Sequence, residues 1–98
     1  MKIVHSENGT ELTVAPEGRL DTATAPELEE DLKKSLPGVT ALTLDFEKLD
    51  YISSAGLRVL LSARKVMNRQ GDMKLVHVNE IIMEILEVTG FTDILTIE

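Results

Sequence analysis

The tightest constraint on the fold is a strand signal, a helix signal and a second strand signal with little chain between them. Leu42-Thr43-Leu44-Asp45-Phe46 alternates, with Leu42, Leu44 and Phe46 on one face and Thr43 and Asp45 on the other. Leu57 to Met67 is rich in Leu, Val and Ala and is long enough for three helical turns or more. Leu57, Leu60 and Leu61 form one side of that helix, and Val59, Ala63, Val66 and Met67 add an adjacent stripe. Gly71-Asp72 then turns the chain into Met73–Val78, a third core strand with Met73, Leu75 and His77 on one side and Val76 and Val78 on the other. A strand, a covering helix and another strand in succession imply a right-handed crossover and parallel pairing.

The flanking segments extend this pattern. Ile3-Val4 and Glu11–Ala15, the latter with Leu12 and Val14 on one face, are separated by Asn8-Gly9, a strong hairpin signal. Pro16 and Gly18 interrupt or bend the returning strand, and Leu20 belongs to the sheet edge or the mouth of the following loop. Thr24-Ala25-Pro26-Glu27 reads as a helix start, because proline is accepted where the N–H is unpaired anyway and Thr24 with Glu27 fits a capping box. Acidic residues crowd its first turns and Lys33 and Lys34 its end, a polarity that suits the helix dipole. Ala25, Leu28, Leu32 and Leu36 form its inward stripe, and Pro37-Gly38 stops it. Asn79 is expected to cap a last helix running to about Val88, with Ile81, Ile82, Ile85 and Val88 inward and Glu80, Glu84 and Glu87 outward. Gly90 marks its end, Phe91 is expected to plug the core, and Ile94 to Ile97 forms a small strand or turn. The order β-β-α-β-α-β-α predicts an α/β fold with a mixed four- to five-stranded sheet and helices mainly on one face. In 98 residues there is no room for a second core, so residues 1–98 are expected to be one domain.

The chemistry-bearing residues lie between Phe46 and Leu57. Ser53 and Ser54 are adjacent hydroxyls, followed by Ala55 and Gly56. A serine at a helix start can accept from an unpaired first-turn N–H, and the helix end favours anions. Gly56 has no side chain, so something can approach its backbone closely. Ser54 could therefore carry, or sit beside, a phosphate, or the four residues could be a capped helix start and nothing more. Arg58 follows Ser54 by four residues, about one turn, within reach of a phosphate or an acidic partner residue, unless it only faces solvent.

Composition removes several alternatives. The formal charge is −7, from 17 acidic and 10 basic residues, which opposes direct binding to nucleic acid. No apolar run approaches the eighteen or so residues of a membrane span, and Lys2 through Asn8 does not read as a signal peptide. With no cysteine, a cytoplasmic setting is expected. The chain lacks GxSxG, HExxH and GxxxxGK[ST] patterns, so no enzyme activity and no cofactor are expected. His77 has no carboxylate at ligand spacing and His5 is far from it in sequence, so no metal is assigned to either. Asp45 is read as a brace for a neighbouring loop.

ISSAGLRVLL, preceded by LDFEKLDY, resembles the signature of the STAS domain, named for sulfate transporters and anti-sigma factor antagonists. Gly18-Arg19-Leu20-Asp21 with Thr24-Ala25-Pro26-Glu27-Leu28 resembles that family's other conserved segment, and Val88 to Ile94 its usual ending. The sequence departs from the best-known antagonists in carrying Ser53 where they have Asp, and Ala55 where they often have Ser. The resemblance implies a small switch protein in which Ser54 is the phosphoacceptor, close to Asp21 across neighbouring loops. Asp21, Ser53 and Arg58 would shape the partner-binding surface and Gly56 would permit close approach. The implied partners are an anti-sigma factor that is also a serine kinase of the histidine-kinase-like ATPase fold, and a PP2C-type phosphatase that reverses the modification. Unphosphorylated, the protein would sequester the anti-sigma factor and free a sigma factor, itself being a monomer when alone. The alternative is a STAS-type assembly or regulatory subunit of a transport or stress-signalling complex that works without phosphate. A small enzyme or nucleotide-binding protein would need a deep pocket, for which this chain has little spare core.

Overall fold

In a computed structural model describing all of residues 1–98, strand and helix alternate around one apolar core. The elements are β1 (Lys2–Asn8), β2 (Glu11–Leu20), α1 (Ala25–Ser35), β3 (Ala41–Asp45), β4 (Leu49–Ile52), α2 (Ser54–Gln70), β5 (Asp72–Val76), α3 (Glu80–Val88) and β6 (Thr96–Ile97). A single 3₁₀ turn, Phe91–Asp93, links α3 to β6. The sheet has six strands, one or two more than the sequence suggests, in the order β1-β2-β3-β5-β6 with β4 also paired to β2.

β1 and β2 form the expected antiparallel hairpin, which turns at Gly9 with φ of 65°. Every other pairing is parallel, as crossover helices require. Leu12, Val14, Leu42, Leu44, Met73 and Leu75 alternate inward, and the helices cover that face. Thr13, Thr43 and Lys74, in register on three neighbouring strands, lie on the half-buried opposite face.

The strand absent from the sequence reading is β4. It occupies the same edge of β2 as β3 does, one stretch further on. Glu11 to Val14 pair with β3, and Gly18 to Leu20 pair with β4 after a bulge between Gly18 and Arg19. Gly18, at φ of 97°, supplies the left-handed conformation that the bulge needs. β2 thus runs through Pro16 and Gly18 to Leu20 instead of ending there.

α1 carries the expected charge polarity, with Glu29–Lys33 and Glu30–Lys34 pairs one turn apart, but its capping box does not form. Thr24 holds the cap position, yet its hydroxyl bonds Arg19 O and Asp21 instead of the first turn. Asn79 does cap α3, its Oδ1 accepting from Ile82 N at 2.8 Å. The inward face of α3 differs from the expected one: Ile82 and Leu86 are buried, whereas Ile81 and Val88 point to solvent. Among the strands α3 packs chiefly along β4, and that short strand covers a narrower stripe than the helix offers. Phe91 is half-buried against the core margin, and Leu95 is the residue that enters it.

β5 ends at Val76, and His77 leaves the sheet in the left-handed region at φ of 56°. Its Nδ1 meets Asp45 Oδ1 at 2.8 Å, and Asp45 also accepts from Glu47 N. Asp45, Glu47 and His77 therefore lie together although no carboxylate stands at ligand spacing from His77 in the sequence; strand pairing supplies a proximity that sequence spacing hides. For Asp45, burial is the largest influence and pushes its pKa up, but the His77 bond, the Glu47 N–H and the His77 charge together hold it below 3.8. The Asp45 bond and charge raise His77 above 6.5 despite some burial. The His77 contribution is then complete below about pH 6.5 and fades as pH rises through its raised pKa. The Asp45 contribution is complete above about pH 3.8 and fades as pH falls through its lowered one. We expect the stability lost in His77→Gln to be greatest between about pH 4 and 6.5 and to shrink on both sides, as read by thermal melts across pH. A pH-independent difference would contradict the pairing.

Candidate functional site

Parallel pairing of β2 with β4 brings the separated sequence motifs together. Leu20 lies opposite Ile52, so the residues that follow, Asp21 and Ser53, emerge side by side at the carboxyl ends of the two strands. Ser53 N donates to Leu20 O at 2.9 Å and prolongs that ladder by one bond. α2 begins immediately after it, with Ser54 as its first residue and exposed.

The cap position of α2 belongs to Ser53, whose backbone is extended, but its hydroxyl makes no cap bond. The Ser53 Oγ is buried and has no hydrogen-bond partner. The first helical bond is Leu57 N to Ser53 O, so the N–H groups of Ser54, Ala55 and Gly56 remain open. No acidic side chain occupies the first turn. The start of this 17-residue helix is therefore an uncompensated positive dipole end with an exposed hydroxyl on it.

Asp21 is fixed by its own loop. Its Oδ1 accepts from Ala23 N and Thr24 N, while Thr24 Oγ1 bonds both Asp21 and the Arg19 carbonyl. The Thr24 N–H lowers the carboxyl pKa most; burial opposes it, and the Ala23 N–H, the Thr24 hydroxyl and the Arg19 charge add to the lowering. Asp21 is consequently a fixed anion at neutral pH. Arg19 lies 3.9 Å from Asp21 and stacks 4.5 Å above the Tyr51 ring, on the face of the β2–β4 pair opposite Leu20 and Ile52. This Arg19–Tyr51 pair escapes a reading of the sequence, because finding it requires β4 and its register.

Arg58 is exposed one turn after Ser54 and is in no ion pair. Gly56 differs from expectation. It is buried, and a Cβ there would lie 2.7 Å from Ile52 Cγ1 and 2.8 Å from Leu20 Cγ. The close approach it permits is that of α2 to its own sheet, not that of a partner. Gly56→Ala must lift the start of α2 off β2 and β4, and overpacking of this kind costs roughly 1–3 kcal/mol. We expect a lower urea midpoint together with displaced amide resonances for Ser53 to Leu57. A midpoint equal to that of the parent protein would show that α2 can move freely.

Two concave surfaces lie elsewhere, one between α1 and α2 and the other beside β3 and β5; neither includes Asp21, Ser53 or Ser54. The site is assembled from the ends of two strands and the start of a helix, with the Ser54 hydroxyl exposed on it. No helix is long and apolar enough to cross a membrane.

Comparison with known proteins gives concordant results. The STAS domain family model matches residues 2–98. A candidate anti-sigma factor antagonist of Bordetella bronchiseptica, BtrV, is 35% identical over 96 residues, covering 96% of this chain and 83% of that protein. An anti-sigma factor antagonist from Mycobacterium paratuberculosis superposes with a TM-score of 0.89 at 18% identity, covering 98% of this chain and 83% of that one. The anti-sigma factor antagonist SpoIIAA superposes in its unphosphorylated form at 0.77 with 13% identity, covering 99% of this chain and 87% of that one. Its phosphorylated form gives 0.76 with 14% identity, covering 99% of this chain and 91% of that one. The structural likenesses, at these identities, are likenesses of fold.

Proposed function

This chain belongs to the STAS domain family, and we propose that it is an anti-sigma factor antagonist whose binding is switched off by phosphorylation of Ser54. The observation that carries the proposal is the exposed Ser54 hydroxyl on the uncapped start of α2, next to the loop that holds ionised Asp21. The chain is a regulatory domain, not an enzyme. Its relatives named as anti-sigma factor antagonists, and a fold shared with both forms of SpoIIAA, support this reading.

In the unmodified state the partner meets a neutral hydroxyl, the Asp21 carboxylate and the surrounding surface, with Arg58 one turn along α2. A phosphoryl group on Ser54 adds about −1.5 to −2 charge and three strong acceptor oxygens. The open N–H groups and the dipole of α2 can accommodate that charge, so the domain itself need not rearrange. The interface must rearrange, because two anions then stand where one stood. The kinase is an anti-sigma factor of the histidine-kinase-like ATPase fold, so nucleotide belongs to the partner, and a PP2C-type phosphatase restores binding. The setting is cytoplasmic, and the domain is monomeric when free and acts in a heteromeric complex. Ser53 supports the backbone beneath the site; with its hydroxyl buried it is not the acceptor.

Incubation with the cognate anti-sigma kinase and ATP, followed by mass-spectrometric site mapping, tests the assignment. Phosphate is expected on Ser54, and Ser54→Ala is expected to abolish incorporation. Incorporation at another residue, or none with a kinase that binds the protein, would overturn it and favour a STAS assembly subunit that works without phosphate.

A further inference from the structure

From the apolar stripe that α3 turns to solvent, we infer a second docking surface, one that receives a basic amphipathic segment of another protein. Ile81 is 60% exposed, Val88 78% and Ile94 44%, although all three are large aliphatic residues. Ile81 and Val88 are seven residues apart, two turns, and so share a face of α3, with half-buried Ile85 between them. The 3₁₀ turn packs against α3, with half-buried Phe91 in it and exposed Ile94 directly after it. Apolar residues of a helix ordinarily face what covers them, yet on α3 only Ile82 and Leu86 are fully buried. Exposed apolar patches with a polar border mark contact sites.

Charge identifies the occupant. After His77 the chain carries five carboxylates and no Lys, Arg or His. Glu98 pairs with Lys74, but Glu80, Glu84, Glu87 and Asp93 are in no ion pair. Glu84 lies one turn from both Ile81 and Val88, so the stripe is bordered by unpaired anions. A second copy of this chain would set these carboxylates against one another, and an anionic lipid surface would likewise be repelled. An element with aliphatic residues along its centre and Lys or Arg at its border satisfies both the stripe and the border. This surface is independent of the Ser54 reading, since it rests on residues of α3 and the turn that follows.

The test titrates isotope-labelled protein with a synthetic helical peptide of leucines flanked by lysines, and with the same peptide carrying glutamate in place of lysine. The lysine peptide is expected to shift the resonances of Ile81, Val88 and Ile94, and to bind at least tenfold more weakly to Val88→Gln and in high salt. Val88 is solvent-exposed, so Val88→Gln should melt as the parent does, and that melt is the control. Equal shifts with the glutamate peptide, or shifts centred away from the stripe, would overturn the inference. Self-association of the free protein that Val88→Gln removes would assign the face to a second copy and overturn it as well, as would binding to anionic vesicles with no peptide response.

Discussion

Gly71→Ala is expected to destabilise the protein by about 3 kcal/mol, at the upper end of overpacking costs. Gly71 closes the turn between α2 and β5, and a Cβ there would lie 1.9 Å from the Thr40 carbonyl oxygen and 2.8 Å from its carbon. Both are backbone atoms, so no side chain can rotate away to make room. The same carbonyl accepts from Asp72 N at 3.0 Å, the first bond tying β5 to the entrance of β3. Gln70 braces this junction by donating to the carbonyls of Leu36 and Val39, each at 2.8 Å. Relieving the clash therefore means pulling apart the turns that enter β3 and β5, at the centre of the sheet. Gly38→Ala is the control: it has nothing within 4 Å of an added Cβ and faces only the left-handed penalty at φ of 83°, about 1–2 kcal/mol. Urea melts should show a midpoint loss for Gly71→Ala of about 1 M or more. A smaller loss than that of Gly38→Ala would contradict the packing account.

Ser54→Asp is expected to weaken binding to the anti-sigma partner by at least about tenfold, and Ser54→Ala by less than about threefold. The hydroxyl is exposed and makes no bond within the protein, so its removal breaks nothing inside the fold. A carboxylate at the same place adds an anion beside Asp21, which is already ionised. A like-charge contact at an interface costs up to several kcal/mol, and each ~1.4 kcal/mol is a factor of ten in affinity. Because Ser54 is the first residue of α2, an added carboxylate favours the helix dipole, and the melting temperature should hold or rise slightly. Lost affinity with retained stability separates a charge switch from an unfolded variant. Raising the salt should recover part of the lost affinity, since exposed charges are screened over about 8 Å at physiological ionic strength. Isothermal titration at two salt concentrations measures both effects.

The sequence conveys most of the fold because its periodicities are regular. Alternation in Leu12/Val14 and Leu42/Leu44/Phe46, the Asn8-Gly9 turn, the Asn79 cap and the α1 stripe each report local physics, and each appears as expected. β4 was illegible because Leu49–Ile52 is four residues long and its partner is the far half of a bulged strand. Thr24 offered a capping box, but tertiary hydrogen bonds to Arg19 and Asp21 claimed its hydroxyl. α3 offered more apolar residues than the sheet could cover, so periodicity alone assigned Ile81 and Val88 to the wrong side. At the candidate site, Asp21, Ser53 and Ser54 stand out as residue types, but their meeting depends on the Leu20–Ile52 register. Gly56 shows how a glycine beside a site can serve the packing beneath it, a role seen only once its neighbours are known. His77 and Asp45 meet through the pairing of β3 with β5, which no spacing rule between positions 45 and 77 would disclose.

The most direct test of the account compares the affinity of the anti-sigma partner for unmodified protein with that for protein quantitatively phosphorylated on Ser54, with phosphatase-treated protein as the return control. The account predicts at least about a hundredfold weaker binding after phosphorylation, full recovery after dephosphorylation, and a melting temperature that does not fall. Equal affinity of the two forms would contradict it, because the charge at the start of α2 would then not control the complex.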